Sequence, residues 1–149
     1  MKAMKKLSIN KTINMGAFLS LLLLIISCGG SDPAPTEQEV VTEALVSGTW
    51  KVQSVTVDGA DQSSIYTGLI INFTATGFSA SNGSPVWPAS ASWSFTDDLA
   101  KTIIIDGLEI SIVEASSVKL VLKLTWNKTT LGPGRVASLS GQNIFTFAH

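Results

Sequence analysis

Short strand-like segments separated by tight turn signals make up most of the chain after residue 49. The clearest is Val118–Trp126, in which apolar residues alternate with a set that includes two lysines and a threonine. Side chains alternate between the two faces of a strand, so this pattern indicates one buried and one solvated face. The dipeptides Asp58-Gly59 and Asp106-Gly107 are typical of two-residue hairpin turns. Connections this short join antiparallel neighbours and leave no room for crossover helices.

The whole pattern predicts about eight strands in a meander, an all-β fold. A twisted sheet of this size must manage its edges, and closure into a small antiparallel up-and-down β-barrel removes them. A two-sheet β-sandwich is the alternative, although only Asn127–Gly141 is long enough for a cross-sheet connection. The predicted strands are Trp50–Val57, Gly68–Thr74, Phe78–Ala80, Ala91–Phe95, Thr102–Ile105, Leu108–Val113, Val118–Trp126 and Gln142–Ala148.

A short helix is predicted just before the first strand. Thr36 and Glu39 have the spacing of a capping box, and apolar residues recur at helical spacing up to Leu45. Gly48 follows as a stop signal. Residues 28–36, rich in glycine, serine and proline, are predicted to be a flexible tether, and residues 37–149 to form one domain.

Residues 1–27 have the layout of a secretory signal peptide: four lysines, a mostly apolar run over residues 13–26, and the small residue Ser27. The run is shorter than the roughly 20 apolar residues of a membrane-spanning helix. Cys28, the single cysteine, follows at once, and this arrangement resembles the bacterial lipoprotein signal. The resemblance implies that Cys28 becomes the lipid-modified first residue of a membrane-anchored protein, and Gly29 resembles a signal for outer-membrane sorting. Plain secretion and an uncleaved anchor are the alternatives.

Charge and residue usage exclude several classes of function. Four of the ten basic residues lie in the predicted signal, whereas all eleven acidic residues follow it. The remaining acidic chain would repel a phosphate backbone, so we expect no nucleic-acid partner. The single histidine, His149, is the last residue of the sequence and is expected to be frayed. With one histidine and one lipid-bound thiol, we expect no enzyme, no metal site and no cofactor. We also expect a monomer.

The segment Ser47–Val52 contains Gly48-x-Trp50 and resembles the Gly-x-Trp start of the lipocalins. Together with later segments it is similar to the small lipocalin-like lipoproteins of Bacteroidetes-type bacteria, over residues 36–149. The resemblance implies that Trp50 closes one end of the barrel and that Arg135, the only arginine, stacks over its indole. The later segments are Val55–Gly59, Val86–Ser90, Trp93–Phe95, Arg135–Gly141 and Asn143–Phe147.

Aromatic residues are the candidates for ligand binding. Trp87 lies between Pro85 and Pro88 in a predicted loop, where its ring could close the barrel mouth or contact a ligand, and Tyr66 is a second candidate on a loop or strand edge. We therefore predict an outer-membrane lipocalin-like lipoprotein that binds a small apolar or amphipathic ligand inside its barrel. Because side chains can also fill an eight-strand barrel, a structural or interaction module with a filled barrel is one alternative. A surface glycan-binding module is another.

Overall fold

A computed structural model describes residues 33–128 and 139–149, in which one α-helix precedes nine strands. A 3₁₀ turn, Ser63–Tyr66, lies between the second and third strands. The elements are α1 (Glu37–Leu45), β1 (Thr49–Val57), β2 (Ala60–Asp61), β3 (Ile70–Phe73), β4 (Gly77–Ser81), β5 (Ser90–Phe95), β6 (Thr102–Ile105), β7 (Leu108–Ala115), β8 (Lys119–Trp126) and β9 (Gly141–Ala148).

Eight of these strands form a closed antiparallel barrel. Each of β3 to β9 pairs with its neighbour in the chain, and β1 pairs with β3 on one edge and with β9 on the other. The seam runs from Lys51 opposite Ala148 to Val57 opposite Asn143. This pairing leaves the ring without an unpaired edge, so the predicted all-β barrel is confirmed and the sandwich alternative is wrong.

The ninth strand, β2, was not predicted. Its two residues pair with the end of β1, where Thr56 faces Asp61 and Val57 faces Ala60. The Asp58-Gly59 turn between them has φ values of 49° and 84°, as the predicted hairpin turn requires. The chain folds back for only two residues before the 3₁₀ turn begins, so β2 lies beside the ring rather than in it.

The strands turn their apolar faces inward, as the alternation predicts. Leu120, Leu122, Leu124 and Trp126 of β8 are all buried. Val118 belongs to the turn before β8 and is 68% exposed, so the strand begins one residue later than predicted.

Helix α1 begins with the predicted capping box. The Glu39 backbone N–H donates to the Thr36 hydroxyl at 3.2 Å, and the Thr36 backbone N–H donates to the Glu39 carboxylate at 2.7 Å. The Thr36 hydroxyl also donates to the Glu39 carboxylate, at 3.1 Å. The two hydrogen bonds that this carboxylate accepts, from the Thr36 backbone first and its hydroxyl second, lower the pKa of Glu39 below its usual value. At the other end of the helix the Leu45 side chain is fully buried.

Replacing Thr36 by alanine tests the cap. Thr36→Ala removes the hydroxyl but keeps the backbone donor, so the pKa of Glu39 should rise part of the way to its usual value, and the N-cap loss should cost about 1 kcal/mol. Ionised Glu39 stabilises the folded state above its unfolded pKa, and acidification through its folded pKa removes that contribution. Carboxyl NMR titration and urea unfolding measure both effects, with Thr125→Ala, on the exposed face of β8, as a surface control. An unchanged pKa for Glu39 would contradict the assignment.

Candidate functional site

Trp50 lies at the end of the barrel where the chain passes from α1 into β1. Its side chain is fully buried, and its indole N–H donates to the Leu45 carbonyl at 2.8 Å. The His149 ring stacks on the indole with a centroid distance of 4.0 Å and an angle of 28° between the planes. The closing role that the resemblance implied for Trp50 stays a prediction.

His149 is held by more than stacking, so the expectation of a frayed residue is wrong. Its Nδ1 lies 3.1 Å from the Thr49 carbonyl, and its Nε2 lies 3.0 Å from the Ser47 hydroxyl. A carbonyl only accepts hydrogen bonds, so Nδ1 carries a hydrogen in this arrangement. The ring also explains Gly48, because a Cβ atom there would lie 2.9 Å from the His149 Cε1 atom.

Arg135 and Cys28, the other two structural candidates, lie outside the described residues. The stacking of Arg135 over Trp50 and the lipid attachment at Cys28 therefore stay predictions. Within the described part of the chain, His149 is the side chain that covers the Trp50 ring.

Trp87, predicted in a loop near the barrel mouth, points into the core and is only 3% exposed. Its ring contacts Phe145 at a centroid distance of 5.0 Å and Phe78 at 5.7 Å. Gly83 makes room for it, since a Cβ atom at this position would lie 3.1 Å from the Trp87 Cγ atom. The loop therefore inserts the indole among the interior rings and does not present it to solvent.

Tyr66 ends the 3₁₀ turn and is fully buried, although it was predicted on a loop or strand edge. Its ring meets Phe145 edge to face at 5.0 Å. The two predicted ligand-binding residues thus contact the same phenylalanine. Phe147 stacks next to Phe145 at 6.1 Å, which extends this aromatic cluster along β9.

The aromatic cluster is continuous with the aliphatic core of the barrel. Ile71, Ile103, Ile110, Leu120 and Leu122 point into the same interior and have at most 1% exposure. Interiors packed in this way leave few voids larger than a water molecule. The described rings and aliphatic side chains thus form one continuous core that is closed to solvent.

Two open depressions lie at the ends of the barrel. A groove of about 870 Å³ runs between α1 and the barrel; its lining includes Glu39, Glu43 and Val46 on the helix side and Trp93 and Phe95 on the barrel side. The second is a cleft of about 360 Å³ beside the Asp106-Gly107 turn and Trp126 at the opposite end. The Lys128 ammonium lies 5.2 Å from the Trp126 ring centroid there.

Three aspartate carboxylates of the described residues accept hydrogen bonds within the protein, two from nearby residues and one, Asp58, from β9. The Leu99 N–H donates to Asp97 at 2.9 Å, and the Gln142 N–H donates to Asp58 at 2.8 Å. The hydroxyl and the backbone N–H of Ser63 both donate to Asp61 and lower its pKa. Asp97 and Asp61 are thus held by residues two positions further along, as is common for aspartate in turns.

Sequence reasoning missed the groove, although it predicted both of its sides. The capping box predicted the helix that carries Glu39, and the alternation of Trp93 and Phe95 predicted their strand. What brings them together is the packing of α1 beside the barrel, including a hydrogen bond of 2.8 Å from the Gln38 side chain to the Asp97 carbonyl. Gln38 and Asp97 are 59 positions apart, and the pattern of neighbouring residues does not indicate a contact between them.

The described residues form a small antiparallel eight-strand barrel preceded by one short helix. No family profile, curated protein or solved structure matches the chain. In residues 33–128 and 139–149, no helix is long and apolar enough to span a bilayer. The same residues contain no group of three or more histidine, cysteine or acidic side chains placed to hold a metal ion.

A double-mutant cycle tests the packing of His149 on Trp50. His149→Ala should lower the free energy of unfolding by about 1 to 2 kcal/mol, because stacking and two hydrogen bonds are lost. Gly48→Ala should destabilise the protein that has His149, where the added methyl group meets the ring, and should be nearly neutral in the His149→Ala background. Urea unfolding of the four proteins measures the coupling. Equal costs of Gly48→Ala in both backgrounds would refute the contact.

Proposed function

We propose that this protein is a non-catalytic, lipid-anchored lipoprotein of the cell envelope that acts as an interaction module through the outside of a filled barrel. The observation that carries this proposal is the packing of the interior. Trp87 and Tyr66, the residues expected to line a ligand site, instead pack on Phe145 within the core.

A carrier of apolar ligands would need an internal cavity of roughly 300 Å³ or more. The Tyr66, Phe145 and Phe147 rings are fully buried and contact one another within the core, which supports an interior filled by side chains. A ligand inside the barrel stays a prediction from the sequence, but the packing favours the filled-barrel alternative. The burial of Trp87 likewise gives a surface glycan site no exposed ring at that loop.

The envelope location rests on the sequence before the barrel. The basic start, the short apolar run and Ser27-Cys28 support export followed by lipid attachment at Cys28. Since one acyl chain holds a protein at a membrane only marginally, a stable anchor needs two or more chains. A barrel that is folded and filled can then be held at the bilayer surface while its outer face remains open to partners.

Metabolic labelling tests the anchor. The full chain, expressed in a bacterial host that modifies lipoproteins, should incorporate labelled palmitate and fractionate with membranes. Cys28→Ser should lose the label and accumulate unprocessed, whereas Ser27→Ala, which keeps a small residue before the cysteine, should behave like the unaltered protein. An unlabelled protein with intact Cys28 would exclude the lipoprotein assignment.

Binding of small apolar probes tests the filled interior. The full chain should show no saturable NMR shifts at its core methyl groups with benzene or dodecanoate. Leu122→Ala should cost about 2 to 5 kcal/mol and open a cavity that accepts benzene, which provides the positive control. Thr125→Ala, on the exposed face of the same strand, should do neither. If Leu122→Ala fails to fold, Leu124→Ala, nearer the end of β8, provides the positive control. Saturable dodecanoate shifts in the unaltered core would overturn the filled-barrel proposal.

A further inference from the structure

We propose that the groove between α1 and β5 binds an amphipathic organic cation, with its ammonium group beside Glu39 and Glu43 and its apolar body against Trp93 and Phe95. This inference deepens the proposed function, because it assigns a ligand class to one outer surface of the filled barrel. The groove, with a volume of about 870 Å³, lies within the size range of small-molecule sites.

The negative charge of the helix wall favours a positively charged ligand. Glu39 and Glu43 are one helical turn apart, so their carboxylates share a face of α1, and both line the groove. No lysine, arginine or histidine is present among the described residues of the lining. Like charges four residues apart destabilise a helix, and a cation beside them would relieve that repulsion.

The barrel side supplies the surface for the apolar body. Trp93 and Phe95 meet edge to face with a centroid distance of 5.2 Å. The Trp93 indole N–H donates to the Thr74 carbonyl at 2.9 Å, which fixes the orientation of the ring. Trp93 is 7% exposed and Phe95 is half-buried, so the apolar body of the ligand would rest mainly on the Phe95 ring.

Hydrogen bonds hold the first turn of the helix wall in place. The capping box fixes the first turn of α1, and the Gln38 side chain donates to the Asp97 carbonyl of the turn after β5. Val46, at the other end of the helix, is 38% exposed and adds an apolar residue to the wall. A preformed site of this kind loses little conformational entropy when it binds a ligand.

Two probes with the same ring and opposite charges test the inference. Benzyltrimethylammonium should shift the Trp93 indole resonance of the full chain saturably in ¹H–¹⁵N spectra, without moving that of Trp126 at the opposite end. Phenylmethanesulfonate should cause no saturable shift. Because the attraction is between surface charges, raising the salt concentration should weaken binding of the cation.

Charge-removing variants locate the site. Glu39→Gln/Glu43→Gln should weaken binding of the cation about tenfold, since both carboxylates beside it become neutral. Glutamine at position 39 can still complete the capping box, so the helix is retained. The matched control Asp106→Asn/Glu109→Gln removes two charges elsewhere and should leave the affinity unchanged. Phe95→Leu should weaken binding while it keeps an apolar side chain.

Three outcomes would overturn the inference: equal binding of the sulfonate, unchanged affinity in the Glu39→Gln/Glu43→Gln variant, or shifts confined to the Trp126 end. Each would leave palmitate labelling at Cys28 and the closed interior untouched, so the ligand class would fail without the proposed function. Conversely, two results would refute the proposed function while the groove results stood: an unlabelled protein with intact Cys28, or saturable binding of dodecanoate in the core.

Discussion

The pairing of β1 with β9 is the contact on which the rest of the barrel depends. It joins residues 51–57 to residues 143–148 and turns an eight-strand meander into a ring. Without this seam, β1 and β9 would each present unpaired backbone groups to solvent or to another chain. Closure also places Phe145 and Phe147 in the core, where both contact the Trp87 ring.

Features encoded over a few residues could be predicted from the sequence. The turns at Asp58 and Asp106 have the positive φ values that the aspartate–glycine pairs indicated, and Thr36 caps the helix as its spacing with Glu39 required. The contacts that define the candidate site join distant positions instead. His149 reaches the Thr49 carbonyl across 100 positions, and Gln38 reaches Asp97 across 59. Periodicity reports which face of a strand is apolar, but it does not report which ring lies opposite.

The aromatic residues show how this limit affects functional reasoning. Trp87 between two prolines had the composition of an exposed loop aromatic, yet tertiary packing placed it on Phe145. Trp93 belongs to the core, as its position in a predicted strand indicates, yet it and the half-buried Phe95 also line an open groove beside two carboxylates. A buried ring and an exposed one carry the same sequence signal, because an aromatic side chain gains from covering apolar surface in either setting.

The seam also governs the order in which the chain can assemble. Because the partner of β1 is β9, nearly the whole domain must be synthesised before the first strand gains its second neighbour. Pairings this remote in sequence form slowly, since a long loop must close before they contribute any stabilisation. Until β9 pairs with β1, the polypeptide exposes unpaired strand edges, which can pair with other chains and aggregate. Such a chain benefits if a chaperone keeps it unfolded until synthesis is complete.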